Sequence, residues 1–336
     1  MAAGDPVSLA WTGRRALVTG ATGLVGAWLC EELLARGASV VAFVRDDDPQ
    51  SRLYAEGIVR GCSVVRGDLG DLAACTRAIS DHDVAYVFHL AAQTIVGAAL
   101  RNPLDAFESN VRGTYHLLEA ARRLAPLVRS FVVASSDKAY GEAAVLPYTE
   151  EMPLRGRHPY DVSKSCTDLI AQAYAHTYGL PVTIARCGNV YGGGDLNWSR
   201  IVPGTIRSLL AGERPVLRSD GKNVRDYLYV RDVVEAFLAL AETAGGPEVA
   251  GEAFNFSPQT RVSVLDMVGA IARAMQLDIE PVILATARFE IRDQTLSAEK
   301  ARRILGWRPA WSLETGLAET IAWYRAHLAP PPFVRA

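Results

Sequence analysis

The chain has no pair of cysteines at C-x-x-C spacing. Its five cysteines, Cys30, Cys62, Cys75, Cys166 and Cys187, are scattered. That argues against a zinc site or a disulfide framework and suits reduced, mostly buried thiols in a cytosolic protein; no metal is expected. Nor is there an excess of either charge. Lys and Arg total 35 against 37 Asp and Glu, a net −2, so no electrostatic argument favours nucleic acid or an anionic membrane. Apolar runs are short and broken by charge, too short for a membrane span. The first ten residues have neither a basic start nor an apolar core, so no signal peptide is expected. Internal repeats and low-complexity tracts are missing too. What remains is a cytoplasmic globular chain, 49% hydrophobic and 21% charged. Its 336 residues suffice for one large domain or two intimate ones.

Behind a loose leader (1–13), Arg15 to Thr19 reads as a buried strand. It runs into Gly20-Ala21-Thr22-Gly23-Leu24-Val25-Gly26, a helical pattern to Arg36 with Gly37 as its stop, and a second strand, Ser39 to Val44. Strand, glycine-rich turn, helix and strand make a βαβ unit with a phosphate-binding turn. Glycine allows positive φ and close backbone approach to a pyrophosphate, and the helix N-terminus offers free N–H groups and partial positive charge. The alternation continues with strands at Ser63 to Asp68, Val84 to Leu90, Ser130 to Ala134 and Val182 to Ala185. Between them lie helices at Leu72 to Ile79, Pro103 to Leu124 (carrying Asn110) and Tyr160 to Tyr178. This predicts an α/β fold, a doubly wound parallel sheet over 13–186 with a later contribution from about 224–245. Ligands in such sheets sit at the carboxyl ends of the strands, where Gly20, Asp68, Ala91 and Ser135 fall. After Cys187 the elements become short and irregular. Residues 187–330 read as a smaller, interleaved C-terminal α/β domain suited to covering a substrate.

The chemistry concentrates between Ser135 and Lys164. Tyr160 and Lys164 are one helical turn apart and share a face. A cation beside a phenol favours phenolate, and a phenol tuned toward neutrality is a general base for an alcohol. Ser136 is a hydroxyl able to hold the same substrate oxygen. Asp137 and Lys138 follow; read as strand residues, they point to opposite faces. Arg45 follows the second strand, where an acid would contact a ribose 2′-hydroxyl and an arginine a 2′-phosphate; Asp46 lies within reach of the same ribose. Arginine's planar fork suits a diphosphate, which makes Arg200 and Arg225 candidates. His89 reads as a satisfied structural histidine, and Trp307, Trp311 and Trp323 as packing residues.

Together these residues resemble the extended short-chain dehydrogenase/reductase family, which acts on nucleotide-sugars. The carriers are Gly20-x-x-Gly23-x-x-Gly26, Asp68, His89-Leu90-Ala91-Ala92, Ser135-Ser136, Tyr160-x-x-x-Lys164, Gly188-Asn189-Val190-Tyr191-Gly192, Arg225-Asp226-Tyr227 and Leu305-Gly306-Trp307-Arg308-Pro309. They span about residues 13–326. Within the family the chain is most similar to the 4,6-dehydratases, the CDP-glucose type above all, through Ser136-Asp137-Lys138-x-Tyr140, Tyr160-x-x-Ser163-Lys164-x-Cys166 and Gly192-Gly193-Gly194-Asp195. It departs at Lys138, where the dTDP-glucose type has the glutamate that takes the C5 proton. It also departs from the CDP-glucose type at Gly141, which follows Tyr140, and Arg225 to Val230 looks more like the dTDP- and UDP-sugar enzymes.

The resemblance implies a Rossmann domain with tightly bound NAD or NADP, held by Gly20, Thr22, Gly23, Leu24, Val25, Gly26, Arg45, Asp68, Leu69, Leu90, Ala91 and Ala92, with Tyr160 and Lys164 beside it. It implies a catalytic set of Ser136, Asp137, Lys138, Tyr160 and Lys164, and contacts to a nucleotide-diphosphate sugar from Gln93, Asn189, Arg200 and Arg225. It also implies a homodimer through helices 103–124 and 160–178. The expected reaction is redox-neutral 4,6-dehydration of an NDP-hexose to a 4-keto-6-deoxy sugar, on a CDP-glucose- or GDP-mannose-like substrate. A 4-epimerase or uronic acid decarboxylase stays open, needing only Tyr160, Lys164 and Ser136. More distant is a non-catalytic NADP-sensing module.

Overall fold

In the computed structural model, residues 11–286 and 291–328 are described. The β-branched runs settle as six parallel strands: Arg15–Thr19 (β1), Ser39–Val44 (β2), Cys62–Arg66 (β3), Tyr86–His89 (β4), Ser130–Ala134 (β5) and Val182–Cys187 (β6). A seventh, Ala253–Phe256, adds at the edge beside β6, and the order from there is β6, β5, β4, β1, β2, β3. The progression reverses between β1 and β4, which opens a crevice at their carboxyl ends.

Side chains alternate across a strand, so Ala16 and Val18 of β1 enter one core layer and Leu17 the other. The first layer meets Leu29 and Leu33 of helix Leu24–Ala35 (α1) and Val233 and Phe237 of helix Val230–Thr243. The second meets Leu117 and Leu118 of helix Gly113–Arg123 and Ala171 and Ala175 of helix Pro159–Tyr178. With both faces covered, the strands are continuous apolar runs, as a parallel sheet requires. A third core joins Tyr191 and Tyr227 to Ile206, Met267, Leu317 and Tyr324 from the later helices and roofs the crevice.

Three features differ from the sequence reading. The leader lies outside the described residues up to residue 10, but Trp11 is fully buried and packs edge-on against Tyr86, ring centroids 4.9 Å apart, so Trp11 belongs to the core rather than to a loose leader. The helix expected over 103–124 is divided into Pro103–Phe107, a π-helical turn Glu108–Arg112 and Gly113–Arg123. The wider turn carries Asn110 inward, and such turns are frequent where a side chain has a task. Finally, helices Arg52–Ala55, Val96–Arg101 and Leu313–Leu328 were not anticipated. Leu313–Leu328 buries Leu317, Ile321 and Tyr324, and Tyr324 Oη donates to Asp195 O at 2.6 Å, pinning the glycine-rich crossover. Among the described residues no helix is long and apolar enough to cross a membrane, and no group of three or more His, Cys, Asp or Glu is placed to hold a metal ion.

Candidate active site

Every residue expected to touch a cofactor or substrate, from Gly20 to Arg225, lines one cavity of about 1590 Å³ at the carboxyl ends of the strands. That exceeds the ~300–1,000 Å³ of a pocket for one small ligand, leaving room for two.

At one end the turn from Gly20 to Gly26 delivers α1. Gly20 has φ +69°, and a Cβ there would sit 2.8 Å from Ala91 N; one on Gly26 would sit 2.1 Å from Gly20 O. Gly23 caps α1 without a side-chain hydrogen bond, and the first turn holds no acid. The first N–H groups and the positive end of the helix therefore face the cavity unmatched. Thr19 Oγ1 accepts from Leu90 N at 3.1 Å and Ala91 N at 3.2 Å, which clamps β1 to the end of β4. His89 bridges Thr19 and Thr114, and burial drives its pKa down to about 3, so it is a neutral structural imidazole as expected. This cradle fits a dinucleotide: bare backbone, donors without partners, and no room for side chains. Arg45 Nε donates to Asp46 Oδ2 at 2.7 Å, so both candidates for the ribose lie at the rim as an ion pair. Asp68 lines the cavity beyond β3 and accepts from Gly70 N at 2.6 Å.

At the centre stands Tyr160, buried with Ala99 and Ala106. Burial pushes its phenol up to about 12; the Arg200 cation pulls against this, as does the Ser136 hydroxyl within hydrogen-bonding reach. The expectation of a lysine-tuned phenol is thus modified. Lys164 shares the helix face, but its Nζ donates to Ala134 O at 2.7 Å, and burial drives its pKa down to about 8. The cation acting on Tyr160 is Arg200, itself held by Asp195 Oδ2 at 2.9 Å and Thr94 Oγ1 at 3.1 Å. Neither partner was anticipated, since nothing local to Thr94 marks it. Of the serine pair, Ser135 turns away to Asp168 at 2.7 Å. Ser136 Oγ donates to Asp137 Oδ1 at 3.0 Å and accepts from Lys138 N at 3.2 Å.

Asp137 and Lys138 are not strand residues pointing to opposite faces. They open a 3₁₀ turn, Asp137–Tyr140, capped by Ser136, and both line the cavity. The helical twist of the turn overrides strand alternation. Asp137 is buried, not a solvated loop acid, and Lys138 Nζ donates to Gln294 Oε1 at 2.8 Å. Asn110 was noted in sequence without a role. Its Oδ1 accepts from Gln93 N at 2.6 Å and its Nδ2 donates to Ser163 Oγ at 2.8 Å, so it ties Gln93 to the Tyr160 helix. Asn189 lies in a short strand paired with Tyr227. Arg225 is buried, with Nη1 donating to Val224 O at 2.8 Å. The five cysteines are free thiols.

Known proteins resemble this chain over most of its length. Residues 16–256 match the model of the "NAD dependent epimerase/dehydratase family". A UDP-glucose 4-epimerase of Mycolicibacterium smegmatis is 33% identical over 93% of this chain and 98% of its own length. A CDP-glucose 4,6-dehydratase of Salmonella typhimurium is 29% identical over 94% and 92%. A dTDP-glucose 4,6-dehydratase of Streptomyces venezuelae, solved with NAD bound, superposes with a TM-score of 0.83 at 29% identity, covering 93% of this chain and 97% of that one.

Proposed function

Because this chain belongs to the NAD dependent epimerase/dehydratase family, we propose that it is a nucleotide-sugar 4,6-dehydratase, a lyase that uses NAD or NADP without net oxidation. The substrate we infer is a CDP-glucose- or GDP-mannose-like nucleotide hexose. The observation that supports dehydration over epimerisation is the 3₁₀ turn after Ser136. It sets a buried carboxylate, Asp137, and an amine, Lys138, on the same cavity as Tyr160. Epimerisation has no use for that pair.

The bound dinucleotide supplies the reversible hydride acceptor at sugar C4. Tyr160 Oη, as the phenolate once both ligands are bound, takes the proton of the sugar 4-hydroxyl while Ser136 holds the same oxygen. The resulting ketone acidifies C5–H, and Lys138 Nζ, unprotonated, takes that proton. Asp137, protonated, gives its proton to the C6 hydroxyl, which leaves as water. Lys138 then returns its proton to C5 as C6 is reduced. A proton passed from Tyr160 back to Asp137 closes the cycle, so the substrate loses one water and nothing else. Arg200, Arg225 and Asn189 are assigned to the nucleotide-sugar. A nucleotide-hexose panel read by mass spectrometry is expected to yield a product lighter by one water; substrate recovered as its C4 epimer, with no water lost, would replace this reading with the epimerase one.

Both NAD and NADP are expected to raise the melting temperature of cofactor-stripped protein. If neither does, the glycine turn is not a dinucleotide site. A homodimer is proposed through the helices around 103–123 and 159–178, where Leu104 and Leu169 are more than half exposed. Light scattering that finds only monomer at micromolar concentration would remove it.

A further inference from the structure

Gln294 lies 156 residues beyond Lys138 in the chain, carries no motif, and is completely buried. Its Oε1 accepts from Lys138 Nζ at 2.8 Å. Its Nε2 has no partner among the described residues. An orphaned buried amide is unfavourable, and a leucine of similar size would avoid it. Turning the amide over would aim an NH₂ group at the lysine nitrogen. The carboxamide is therefore accounted for by its oxygen and by Lys138.

The support beneath that oxygen is rigid. Gln294 pairs in parallel register with Arg225. On its far side Tyr148 N donates to Thr295 O at 2.8 Å, Leu296 N donates to Asp226 Oδ2 at 2.8 Å, and Ser297 N donates to Tyr148 O at 2.9 Å. Tyr148 also stacks on Tyr140, the last residue of the Lys138 turn, with ring centroids 4.8 Å apart, and donates to Gly141 O at 2.6 Å. One frame thus carries both ends of the Lys138–Gln294 contact.

We propose that Gln294 is a positioning residue: its neutral, buried carboxamide oxygen fixes Lys138 Nζ at the cavity without adding a charge that would hold the proton on it. The inference rests on Lys138 being the C5 base. A carboxamide oxygen accepts an N–H from either an ammonium or an amine. A carboxylate in its place would favour the ammonium and hold the proton. Lys138 already shares its surroundings with Asp137 on its own turn and with Asp161 and His158 at the start of the Tyr160 helix. From other elements, Tyr148 and Asp226 lie within electrostatic reach of Asp137, and Arg225, Asp293 and Glu142 act in turn on Tyr148. All of these are unchanged in variants at position 294, so differences among such variants isolate that position.

The test compares wild type, Gln294→Leu and Gln294→Glu on the nucleotide-hexose that the panel identifies, with kcat and KM measured across pH. Gln294→Leu is expected to lower kcat about 10- to 100-fold, the cost of a misplaced reacting group, with KM changed less than about threefold. Gln294→Glu is expected to move the rising limb of kcat upward by on the order of one pH unit. Loss of folded protein or melting temperature with an unmoved limb and unchanged kcat per folded site would make Gln294 merely structural and overturn the proposal. Failure of the underlying reading looks different: wild type itself would form no dehydrated product.

Discussion

Tyr160→Phe is expected to lower turnover by about 100- to 10,000-fold, the contribution of a placed general acid or base, with KM changed only a few-fold. Phenylalanine keeps the ring buried against Ala99 and Ala106, so the variant is expected to fold and to bind both ligands. It lacks only the oxygen that takes the 4-hydroxyl proton. In the ligand-free protein this oxygen stays protonated at neutral pH, because burial pushes it up to about 12. Lys164 does not offset this directly, its Nζ being used on Ala134 O. The countervailing charge is that of Arg200, tethered by Asp195 and Thr94. The measurement is steady-state kinetics beside a melting curve. Retention of more than a tenth of wild-type kcat would remove Tyr160 from the chemistry and leave it a packing residue.

What the sequence made legible is what chemistry confines to a few consecutive positions. The glycines at 20, 23 and 26 are required by backbone approach, so the cradle could be read before its neighbours were known; the structure adds the atoms a Cβ would strike, Ala91 N and Gly20 O. Tyr160 and Lys164 are one turn apart on a helix, and helix geometry alone puts them on one face. The parallel sheet followed from alternating element types, and its strands came within a residue or two. Contacts closed by the fold were out of reach. Trp11 lacks a periodic context, so its burial depends on Tyr86 and on Glu242, 231 residues later in the chain, whose Oε1 accepts from its indole at 2.9 Å. Thr94 and Gln294 are ordinary polar residues until tertiary structure sets Arg200 and Lys138 against them. The 3₁₀ turn at Asp137 was missed because Asp137 and Lys138 were read as strand residues beyond the strand's end at Ala134, whereas Ser136 caps Lys138 N and opens the turn. That local error mattered, since strand alternation would have separated Asp137 from Lys138, and the turn brings both to the cavity.

Asp137→Asn separates the two layers of the site. The asparagine oxygen still accepts from Ser136, whose hydroxyl donates to Asp137 Oδ1 at 3.0 Å in the wild type, so the 3₁₀ turn and its cap are expected to survive. An ionised Asp137 raises the pKa of Tyr160 and of Asp226, whereas the amide, like the protonated acid of the cycle, carries no charge to oppose the Tyr160 phenolate. Oxidation at C4 should therefore proceed at least as readily as in the wild type. Loss of the 6-hydroxyl should not, because an amide has no proton of suitable acidity for the departing oxygen. Dehydrated product is expected to fall by about 100- to 10,000-fold, the range for one general acid, while absorbance of the reduced cofactor builds up on mixing enzyme and substrate. Exchange of the C5 hydrogen with deuterated solvent is expected to continue, since Lys138 and its Gln294 support are untouched. If the variant turns over nucleotide-sugar at the wild-type rate with no water lost by either protein, Asp137 is idle and the chain is an epimerase. If it loses oxidation together with dehydration, Asp137 acts on the first step through Ser136, and the acid for the leaving hydroxyl must be sought elsewhere on the cavity wall.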